Sequence, residues 1–440
     1  MKKSDINALM RQYVRGNLSP SGSERDFVSE VYESVQNVLG VANCLQIGSY
    51  PRFTAITPLH DLDVLYVLGN WDPAADPSDA LNELQAQLES DYENPTQYSF
   101  EISRQTHSIT IVFSDGGDEV FSVDIVPAYI SGKNNFGSDM YVVPEIAAKS
   151  HGDRKQLSKA VAQGRHKMAW IKSDPRGYIS VATQANAAND DFRKAVKLVK
   201  GWRASCKGLD EDFPLKSFHL EQAITRDFQS RPNIEIFDAI FNFFCELPKL
   251  IEKPQIRDRA DQNKMIDAYV SGLTNEEKEW IIQARDHFLI KLEQLKDGAD
   301  IGDLLEAGLH ERASDMEEYL FDQKIPMLVE VEFDIVGEVQ KRDGGFRERI
   351  LDAMGLIEVD RKIRFRLGQN PPAAHVYKWK VKNDDSSVEP RGEITDGGTL
   401  NDLEHTKYNG KHYVECFTVV NGVCVGRSRQ DVVLNWSFGK

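Results

Sequence analysis

The stretch that most constrains this chain is residues 47–64, where a Gly-Ser turn is followed by two aspartates one residue apart. Gly48 and Ser49 precede an irregular segment, and Asp61 and Asp63 lead into an apolar run typical of a buried strand. Side chains of a strand alternate between its two faces, so both carboxylates are expected on the same face. Paired carboxylates are typical ligands of Mg²⁺, which prefers oxygen. The backbone N–H groups of the turn can bind phosphate oxygens.

Each half of this pattern also has an ordinary explanation. A Gly-Ser pair occurs in many turns, and an Asp-x-Asp pair is often a solvated strand end or a helix N-cap. The two together, in this order and before a strand, favour a site for a metal and a nucleotide. The combination resembles the signature of the polymerase-β-type nucleotidyltransferases, in which a Gly-Ser turn is followed by Asp-x-Asp.

A third aspartate lies in a predicted hairpin. Residues 108–113 alternate polar and apolar, a Gly-rich turn follows, and residues 120–128 read as the partner strand. Asp124 shares a face of that strand with Ser122, whereas the other face is apolar. An ionised carboxylate in an apolar strand is costly when it is unpaired, so Asp124 is expected to face a cation. The alternative is that Asp124 lies on the solvated face of an edge strand.

Two segments extend the resemblance to a narrower family. Residues 123–128, Val-Asp-Ile-Val-Pro-Ala, resemble the strand that carries the third carboxylate in oligoadenylate synthases and cyclic GMP-AMP synthase. Residues 48–56 resemble the Gly-Ser-Tyr-x-Arg-x-Thr-Ala-Ile run of their bacterial relatives, the cGAS/DncV-like nucleotidyltransferases, with a phenylalanine in place of the glycine common there. The resemblance implies that Asp61, Asp63 and Asp124 are catalytic and hold two Mg²⁺ ions, with Mn²⁺ as an alternative.

Two segments further along predict how the nucleotide is held. The apolar stripe of residues 191–205 predicts a helix with Lys200 at its edge, and Ser217 lies at the start of the next predicted helix. The runs Leu-Val-Lys-x-Trp and Lys-Ser-Phe-His around these residues resemble the paired helices of the family's C-terminal lobe. The resemblance implies that Lys200 and Ser217 contact the donor triphosphate, together with Gly48 and Ser49. The alternative for Lys200 is a surface lysine whose stem packs on the helix.

Apolar spacing predicts most of the remaining helices, and Gly, Asn, Ser and Pro residues mark the loops. The predictions are helices over 23–39 with Ser23 as N-cap, 79–90, 234–250, 261–297 with a Thr-x-x-Glu capping box inside it, and 301–321, and loops over most of 130–180.

Near residue 325 the pattern changes from helical to β. Several short alternating segments predict a small β-sandwich. Asn421-Gly422 between two such segments is a strong hairpin signal, because a type I′ turn needs a positive φ at both positions. Pairing about this turn would place Cys416 opposite Arg427, so no disulfide with Cys424 is expected.

The tail resembles the adenylyl/guanylyl and SMODS C-terminal sensor domain that is fused to defence nucleotidyltransferases. The resemblance is carried by Trp-Lys-Val-Lys-Asn from residue 379, by Arg-Gly-Glu-Ile from Arg391, and by the run that contains Lys411 and His412. The ligand of the tail is not readable from these residues. Arg391, Lys411 and His412 either bind an anionic group or are solvated strand charges.

Bulk composition narrows the class of protein. The 440 residues carry a net charge of −16, which argues against a general nucleic-acid binder. No apolar run reaches the roughly 18 residues of a membrane span, and the start lacks the apolar region of a secretory signal. The five cysteines include no Cys-x-x-Cys pair, as is typical of a reducing cytosol. A cytoplasmic protein without a membrane partner is therefore expected.

These patterns together predict an α+β chain in three parts. The predicted parts are a polymerase-β-like nucleotidyltransferase core over 1–185, a helical C-lobe over 186–322 that completes the active-site cleft, and a β-rich sensor-like domain over 323–440.

The resemblance implies an enzyme that makes a cyclic oligonucleotide second messenger from NTPs, with ATP first and GTP or others open. It also implies a place in bacterial antiviral defence of the CBASS type, where a downstream effector binds the product and not the enzyme. Two alternatives stay open. One is a toxin-type nucleotidyltransferase that modifies a tRNA or a protein, and the other is a non-catalytic nucleotide sensor.

Overall fold

The computed structural model describes residues 2–146, 168–295, 298–340, 346–347, 357–358, 361–368, 371–397, 403–408 and 410–435. Helices and strands alternate in the first part of the chain, and the end is made of strands, so the predicted α+β class is confirmed. The chain divides into two compact units, one of residues 9–281 and one of residues 1–8 with 282–440. The predicted boundaries at residues 185 and 322 stay a prediction.

The helices of the described residues form mainly where the apolar spacing predicts them. In this part of the chain, none of them is both long and apolar enough to cross a membrane. The helices are α1 Lys3–Tyr13, α2 Gly22–Leu39, α3 Pro77–Asp91, α4 Pro175–Ala188, α5 Asp191–Leu209, α6 Ser217–Ser230, α7 Ile236–Leu250, α8 Asn275–Glu293 and α9 Ile301–Leu305.

The N-cap of helix α2 lies two residues earlier than predicted. Ser21, and not Ser23, is the N-cap, because the Ser21 hydroxyl accepts a hydrogen bond from the Glu24 N–H at 3.2 Å and Glu24 accepts one from the Ser21 N–H at 2.7 Å. The reciprocal pair satisfies two N–H groups that the first helical turn leaves free.

The described part of residues 9–281 contains one mixed sheet in the order β1-β2-β5-β4-β3, with β6 paired to β5 and β7 paired to β6. Strands β2 and β5 run parallel, and the other pairs are antiparallel. The strands are β1 Cys44–Ile47, β2 Asp61–Asn70, β3 Ser99–Arg104, β4 Ile109–Asp115, β5 Asp118–Lys133, β6 Asp139–Ile146 and β7 Met168–Ser173.

Helices α2 and α3 cover one face of this sheet. Leu62 and Val64 of β2 and Val123 and Ile125 of β5 are buried in the same core cluster as the apolar stripes of the two helices. Asp61, Asp63 and Asp124 alternate with these apolar residues along the strands. They therefore point to the opposite face of the sheet. The packing of two helices on one face thus leaves the other face available for the site.

Three of the sequence predictions for residues 130–321 are wrong in part. The loops predicted over 130–180 include strands β6 and β7 and the start of α4, while residues 147–167 lie outside the described residues. The predicted helix over 261–297 starts only at Asn275, because its capping box is the helix start. Thr274 accepts a hydrogen bond from Glu277 N–H at 3.1 Å and donates its own N–H to the Glu277 carboxylate at 2.7 Å. The helix predicted over 301–321 is limited to α9 and a short 3₁₀ turn.

The tail forms two sheets, one with the order β10-β9-β12-β15 and one with the order β11-β17-β16-β13-β14, in which β8 also pairs with β17. Apolar residues of both sheets share one core, so the predicted sandwich is confirmed. The strands are β8 Met327–Val331, β9 Ile335–Gln340, β10 Phe346–Arg347, β11 Ile357–Glu358, β12 Lys362–Leu367, β13 Val376–Lys382, β14 Arg391–Asp396, β15 Glu404–His405, β16 Gly410–Val420 and β17 Val423–Asn435.

The predicted hairpin at Asn421-Gly422 joins β16 and β17, but its register differs by one residue from the prediction. Cys416 pairs with Ser428 and not with Arg427, because a bulge between Thr418 and Val419 inserts a residue. Both Cys416 and Cys424 are free and buried.

Candidate active site

The structure brings the three predicted aspartates to one face of the mixed sheet. Asp61 and Asp63 lie on β2, and the parallel register with β5 places Asp63 directly beside Asp124 and Asp61 beside Ser122. Neighbouring strands lie about 4.8 Å apart, so the three carboxylates belong to one small patch of the sheet. Side chains alternate along β2, and Leu62 is buried against the helices. Both aspartates of β2 therefore lie on the other face.

The Asp124 carboxylate is turned toward β4, on the side of β5 away from β2. Its Oδ1 accepts a hydrogen bond from the Thr110 hydroxyl, and the Ser108 hydroxyl lies 3.5 Å from the same oxygen. Among the described residues, no three His, Cys, Asp or Glu side chains form a ready metal-binding group. The strand register therefore places the three aspartates side by side, but their carboxylates are not arranged as a set of metal ligands.

Burial and mutual repulsion disfavour the ionised form of two of these aspartates. Burial, followed by repulsion from Asp61 and Asp124, raises the pKa of Asp63 to about 6. Burial and the Asp124 charge also raise the pKa of Asp61. Carboxylates that burial and like charges destabilise are the groups that gain most from a divalent cation, so the chemistry of this donor set fits Mg²⁺.

Gly48 lies directly against the aspartates. It follows β1, whose last residue, Ile47, pairs with Asp63, and it has a φ of +75°. A Cβ atom at this position would lie 1.8 Å from the Asp63 Oδ2 atom, which is impossible without a rearrangement. Both the backbone conformation and the close approach of the carboxylate therefore require glycine.

The turn after Gly48 is closed by its own backbone. The N–H of Phe53 donates to the Tyr50 carbonyl at 2.9 Å, and the N–H of Thr54 donates to the Ser49 carbonyl at 3.1 Å. Phe53 has a φ of +59°, a left-handed conformation that glycine adopts without strain.

The Lys200 ammonium does not point into solvent, as it would in a surface lysine whose stem packs on the helix. Its ammonium donates to the Glu221 carboxylate at 2.7 Å and to the Thr54 carbonyl at 3.1 Å, and its side chain is only 7% exposed. The structure therefore connects Lys200 with the Gly-Ser segment through Thr54. Whether Lys200 also contacts phosphate stays a prediction.

Glu221 of α6 is the centre of this connection, and sequence reasoning gave it no role. Its fully buried carboxylate also accepts hydrogen bonds from Arg52 at 2.5 and 3.3 Å and from the Thr54 hydroxyl at 2.8 Å. Burial opposes its charge, but Lys200 and Arg52 dominate and lower the pKa of Glu221 to about 2. The signal that could have revealed it is an acid in the apolar stripe of a helix, which needs a cation from elsewhere in the fold.

Ser217 is the first residue of α6, one helical turn before Glu221. Residues four apart lie on the same side of a helix, so Ser217 lies on the side of α6 that faces the Gly-Ser segment. The structure thus places Ser217 on the same side of α6 as Glu221, which bonds both Lys200 and the segment after Gly48-Ser49. Their contact with a triphosphate stays a prediction.

Two of the three tail residues considered for an anionic ligand have partners within the chain. Arg391 donates to Glu404 at 2.6 Å, and the His412 ring contacts the Tyr408 carbonyl at 2.8 Å and the Asp384 N–H at 3.2 Å. Lys411 is exposed. The first two have structural partners, which favours the solvated or structural alternative for this set.

Comparisons with known proteins agree with the resemblance drawn from the motifs. Residues 314–435 match the model of the family described as "Adenylyl/Guanylyl and SMODS C-terminal sensor domain". Over 226 residues, 50% of this chain, the sequence is 26% identical to a cyclic AMP-AMP-AMP synthase of Escherichia coli (strain MS 115-1). The aligned part spans 61% of the length of that curated relative. The predicted resemblance is confirmed for half of the chain and for its tail.

Solved structures overlap with a larger part of the chain at lower similarity. The E. coli MS115-1 CdnC:HORMA-deltaN complex gives a TM-score of 0.48 at 18% identity, over 68% of this chain and 94% of that one. The Bradyrhizobium diazoefficiens CD-NTase CdnG in complex with GTP gives a TM-score of 0.45 at 13% identity, over 69% and 97%. Both scores are below 0.5, so the fold is described from the strand order and register of this chain alone.

Proposed function

We propose that this chain, which resembles the cGAS/DncV-like nucleotidyltransferases in its motifs and carries a match to their sensor domain, is a Mg²⁺-dependent nucleotidyltransferase that joins NTPs into a cyclic oligonucleotide. The observation that carries the proposal is the set of three aspartates on one sheet face beside Gly48, whose φ is positive and whose Cβ position would clash with the Asp63 carboxylate. The similarity to a cyclic AMP-AMP-AMP synthase supports a cyclic product and ATP as the first substrate to test. Bacterial antiviral defence of the CBASS type is the context that the resemblance implies, with the effector bound by the product.

Asp61, Asp63 and Asp124 would hold the metal. When bound there, Mg²⁺ would neutralise charge on the donor triphosphate and lower the pKa of the attacking ribose hydroxyl. Asp63 is the member of the set that burial and repulsion disfavour most clearly as an anion, which supports a cation beside it. Asp124 accepts the Thr110 hydroxyl through Oδ1, so its other oxygen, Oδ2, would bind the metal.

The chain's other contribution is to position the nucleotide. The backbone N–H groups of Gly48 and Ser49 and the Ser49 hydroxyl would bind phosphate oxygens, and the positive start of α6 at Ser217 favours the same charge. Lys200 would neutralise the outer phosphates. Because Glu221 also binds Arg52 and the Thr54 hydroxyl, it can keep the turn in place if Lys200 shifts from Glu221 to a phosphate. Positioning and charge neutralisation are the main requirements of phosphoryl transfer.

The proposal is tested by incubating the purified full chain with four NTPs and Mg²⁺, and by measuring pyrophosphate release together with the mass of the products. Asp61→Asn and Asp63→Asn should reduce release at least about a thousandfold, as expected when a group that stabilises the transition state is lost. Asp118→Asn is the matched control, since Asp118 is exposed at the start of the same strand that carries Asp124. It should keep full activity.

Other outcomes of this experiment identify the alternatives. A small phosphatase-resistant product supports cyclic oligonucleotide synthesis. If the NTPs are labelled and label appears only on an added tRNA or protein, the activity is a toxin-type transfer and not cyclic oligonucleotide synthesis. Tight NTP binding without pyrophosphate release would indicate a nucleotide sensor without turnover. Full activity in Asp61→Asn or Asp63→Asn would refute the proposed site.

A further inference from the structure

The start of helix α6 is anchored on the side away from Ser217. Successive residues of an α-helix are about 100° apart around its axis, so His219 lies nearly opposite Ser217 and Glu221. The side with Ser217 and Glu221 faces the Gly-Ser segment, where the Glu221 carboxylate accepts a hydrogen bond from Arg52. His219 is 1% exposed, so the opposite side of the helix is buried as well. The residues that hold this second side have no place in the candidate active site described above.

Tyr269, in a short 3₁₀ turn after α7, binds two groups at the start of α6. Its hydroxyl accepts a hydrogen bond from the Lys216 N–H at 3.2 Å and lies 2.9 Å from the His219 Nδ1 atom. Burial raises the pKa of Tyr269 to about 12, so the hydroxyl keeps its proton at pH 7. Burial also lowers the pKa of His219, so its ring is neutral and Nδ1 can accept the hydrogen bond of that hydroxyl. The Tyr269 hydroxyl is therefore an acceptor and a donor at once.

Asp267 sets the tautomer that this arrangement needs. With Nδ1 as the acceptor, the proton of the His219 ring is on Nε2, which lies 3.8 Å from the Asp267 Oδ2 atom. Asp267 is fully buried and accepts hydrogen bonds from the Gln255 N–H at 2.7 Å and the Ile256 N–H at 3.1 Å. The fixed negative charge of Asp267 favours the proton on Nε2, and thus favours the tautomer that binds Tyr269.

One peptide unit just before α6 is held at both of its polar groups. Its carbonyl, from Leu215, accepts a hydrogen bond from Arg203 of α5, and its N–H, from Lys216, donates to Tyr269. Leu215 itself is fully buried. Lys216 is the N-cap residue of α6, so the direction of the first helical turn, which begins with Ser217, depends on this peptide unit.

Helix α6 also begins differently from α2 and α4. Ser21 caps α2 and Asp174 caps α4 through side-chain oxygens, whereas within the described residues the Lys216 side chain makes no such bond to α6. A hydroxyl or carboxylate cap would occupy N–H groups of the first turn, and a carboxylate would also repel a phosphate. A helix start that is held from behind keeps these N–H groups available to an anion.

We propose that Tyr269 is a positioning residue for the nucleotide, which holds Lys216 and His219 so that Ser217 and the start of α6 are directed at the triphosphate. The inference rests on the proposed function, because the contact between Ser217 and the triphosphate is part of it. A buried hydrogen bond restricts a contact to one geometry more strictly than apolar packing does, and a phosphate site needs such precision.

The test compares Tyr269→Phe with Tyr92→Phe in the full chain. Both exchanges remove the hydroxyl of a buried tyrosine. Tyr92 bonds Ser34 at 3.0 Å, and Ser34 belongs to α2, on the sheet face opposite the aspartates. Pyrophosphate release is measured against ATP concentration at saturating Mg²⁺. Tyr269→Phe should raise the KM for ATP about tenfold, equal to about 1.4 kcal/mol, with kcat within about twofold, because a contact of the bound substrate is weakened. Tyr92→Phe should leave both constants unchanged.

Three further measurements separate positioning from a general loss of stability. The melting temperatures of the two variants should agree within about 3 °C, since each loses one buried hydroxyl. Calorimetry with α,β-methylene-ATP, which binds without reacting, should show about tenfold weaker binding only for Tyr269→Phe. Combined with Ser217→Ala, the effect of Tyr269→Phe on KM should not multiply, because both changes act on one contact. His219→Leu leaves Tyr269 in place but removes its acceptor, and should raise KM about three- to fivefold.

The failure of this inference differs from the failure of the proposed function. Unchanged KM and analogue affinity in Tyr269→Phe, or effects that multiply with those of Ser217→Ala, would overturn the role of Tyr269 while wild-type activity remains. A change in KM that Tyr92→Phe shares would likewise show a merely structural hydroxyl. A wild type that releases no pyrophosphate would refute the proposed function instead, and binding of the analogue would still test Tyr269.

Discussion

Replacing Glu221 with glutamine should destabilise residues 9–281 more than almost any other single exchange of a charged residue in this unit. The Glu221 carboxylate is fully buried and accepts hydrogen bonds from Arg52, Lys200 and Thr54. The side chains of Arg52 and Lys200 are 8% and 7% exposed, so the loss of the acid leaves two cations buried side by side. An amide has no negative charge to compensate them.

The magnitude follows from this geometry. Breaking a buried ion pair by removing one partner costs about 3–5 kcal/mol, because the remaining charge is not compensated. Two cations lose their partner here, so we expect about 4–5 kcal/mol, at the upper end of that range. Typical domain stabilities are about 5–15 kcal/mol, so the variant should remain folded at 25 °C but with a much reduced margin.

The assay is urea unfolding of wild type and Glu221→Gln, followed by circular dichroism and tryptophan fluorescence. Glu211→Gln is the matched control, since Glu211 is exposed in the segment before α6 and should change stability by less than about 0.5 kcal/mol. Glu221→Gln combined with Lys200→Met should cost about 1–3 kcal/mol less than the sum of the single changes, because the two groups contact each other.

The pH dependence of the free energy of unfolding gives an independent check on the contribution of Glu221. The pKa of Glu221 is lowered from 4.5 to about 2 in the folded chain, so its contribution is fully present above pH 4.5 and is lost as the pH falls toward 2. Glu221→Gln should lack this part of the acid dependence. A loss below about 1 kcal/mol at pH 7, or full additivity with Lys200→Met, would refute the view that Glu221 holds two buried cations.

Three further predictions concern the aspartate site. Gly48→Ala should abolish pyrophosphate release, because its Cβ would lie 1.8 Å from Asp63 Oδ2, while Gly208→Ala, which meets no atom within 4 Å, should keep it. Wild-type turnover in Gly48→Ala would contradict this. Calorimetry should find that Mg²⁺ affinity rises as the pH increases through about 6, since the metal needs Asp63 ionised, and a flat profile would count against the site. Thr110→Val should lower the Mg²⁺ concentration for half-maximal activity about three- to tenfold, because it frees Asp124 from a hydrogen bond, and a higher requirement would exclude this role.

Much of the candidate site follows from local sequence. The position of Asp61 and Asp63 on one face is a consequence of strand alternation, and the apolar residues between them choose which face is buried. The turn at Gly48, the strand around Asp124 and the helices that carry Lys200 and Ser217 are likewise recognisable from short stretches. These features depend on neighbours a few residues away, so a linear pattern contains them.

In the tail, local sequence patterns predict the hairpin but not its register. The hairpin at Asn421-Gly422 is readable because turn chemistry is local, but the bulge that moves Cys416 opposite Ser428 is not. A bulge forms where packing on the sheet face favours it, and that packing involves strands distant in sequence.

The contacts that turn the motif into a candidate site depend on residues far apart in the chain. Glu221 lies 169 residues from Arg52, and its role depends on the packing of α6 against the Gly-Ser segment. Asp63 stands beside Asp124 only because β2 and β5 pair in parallel in one register out of several. Thr110 holds Asp124 through a third strand. Strand register and helix packing are chosen by the free energy of the whole core, and no periodicity within one segment carries that information.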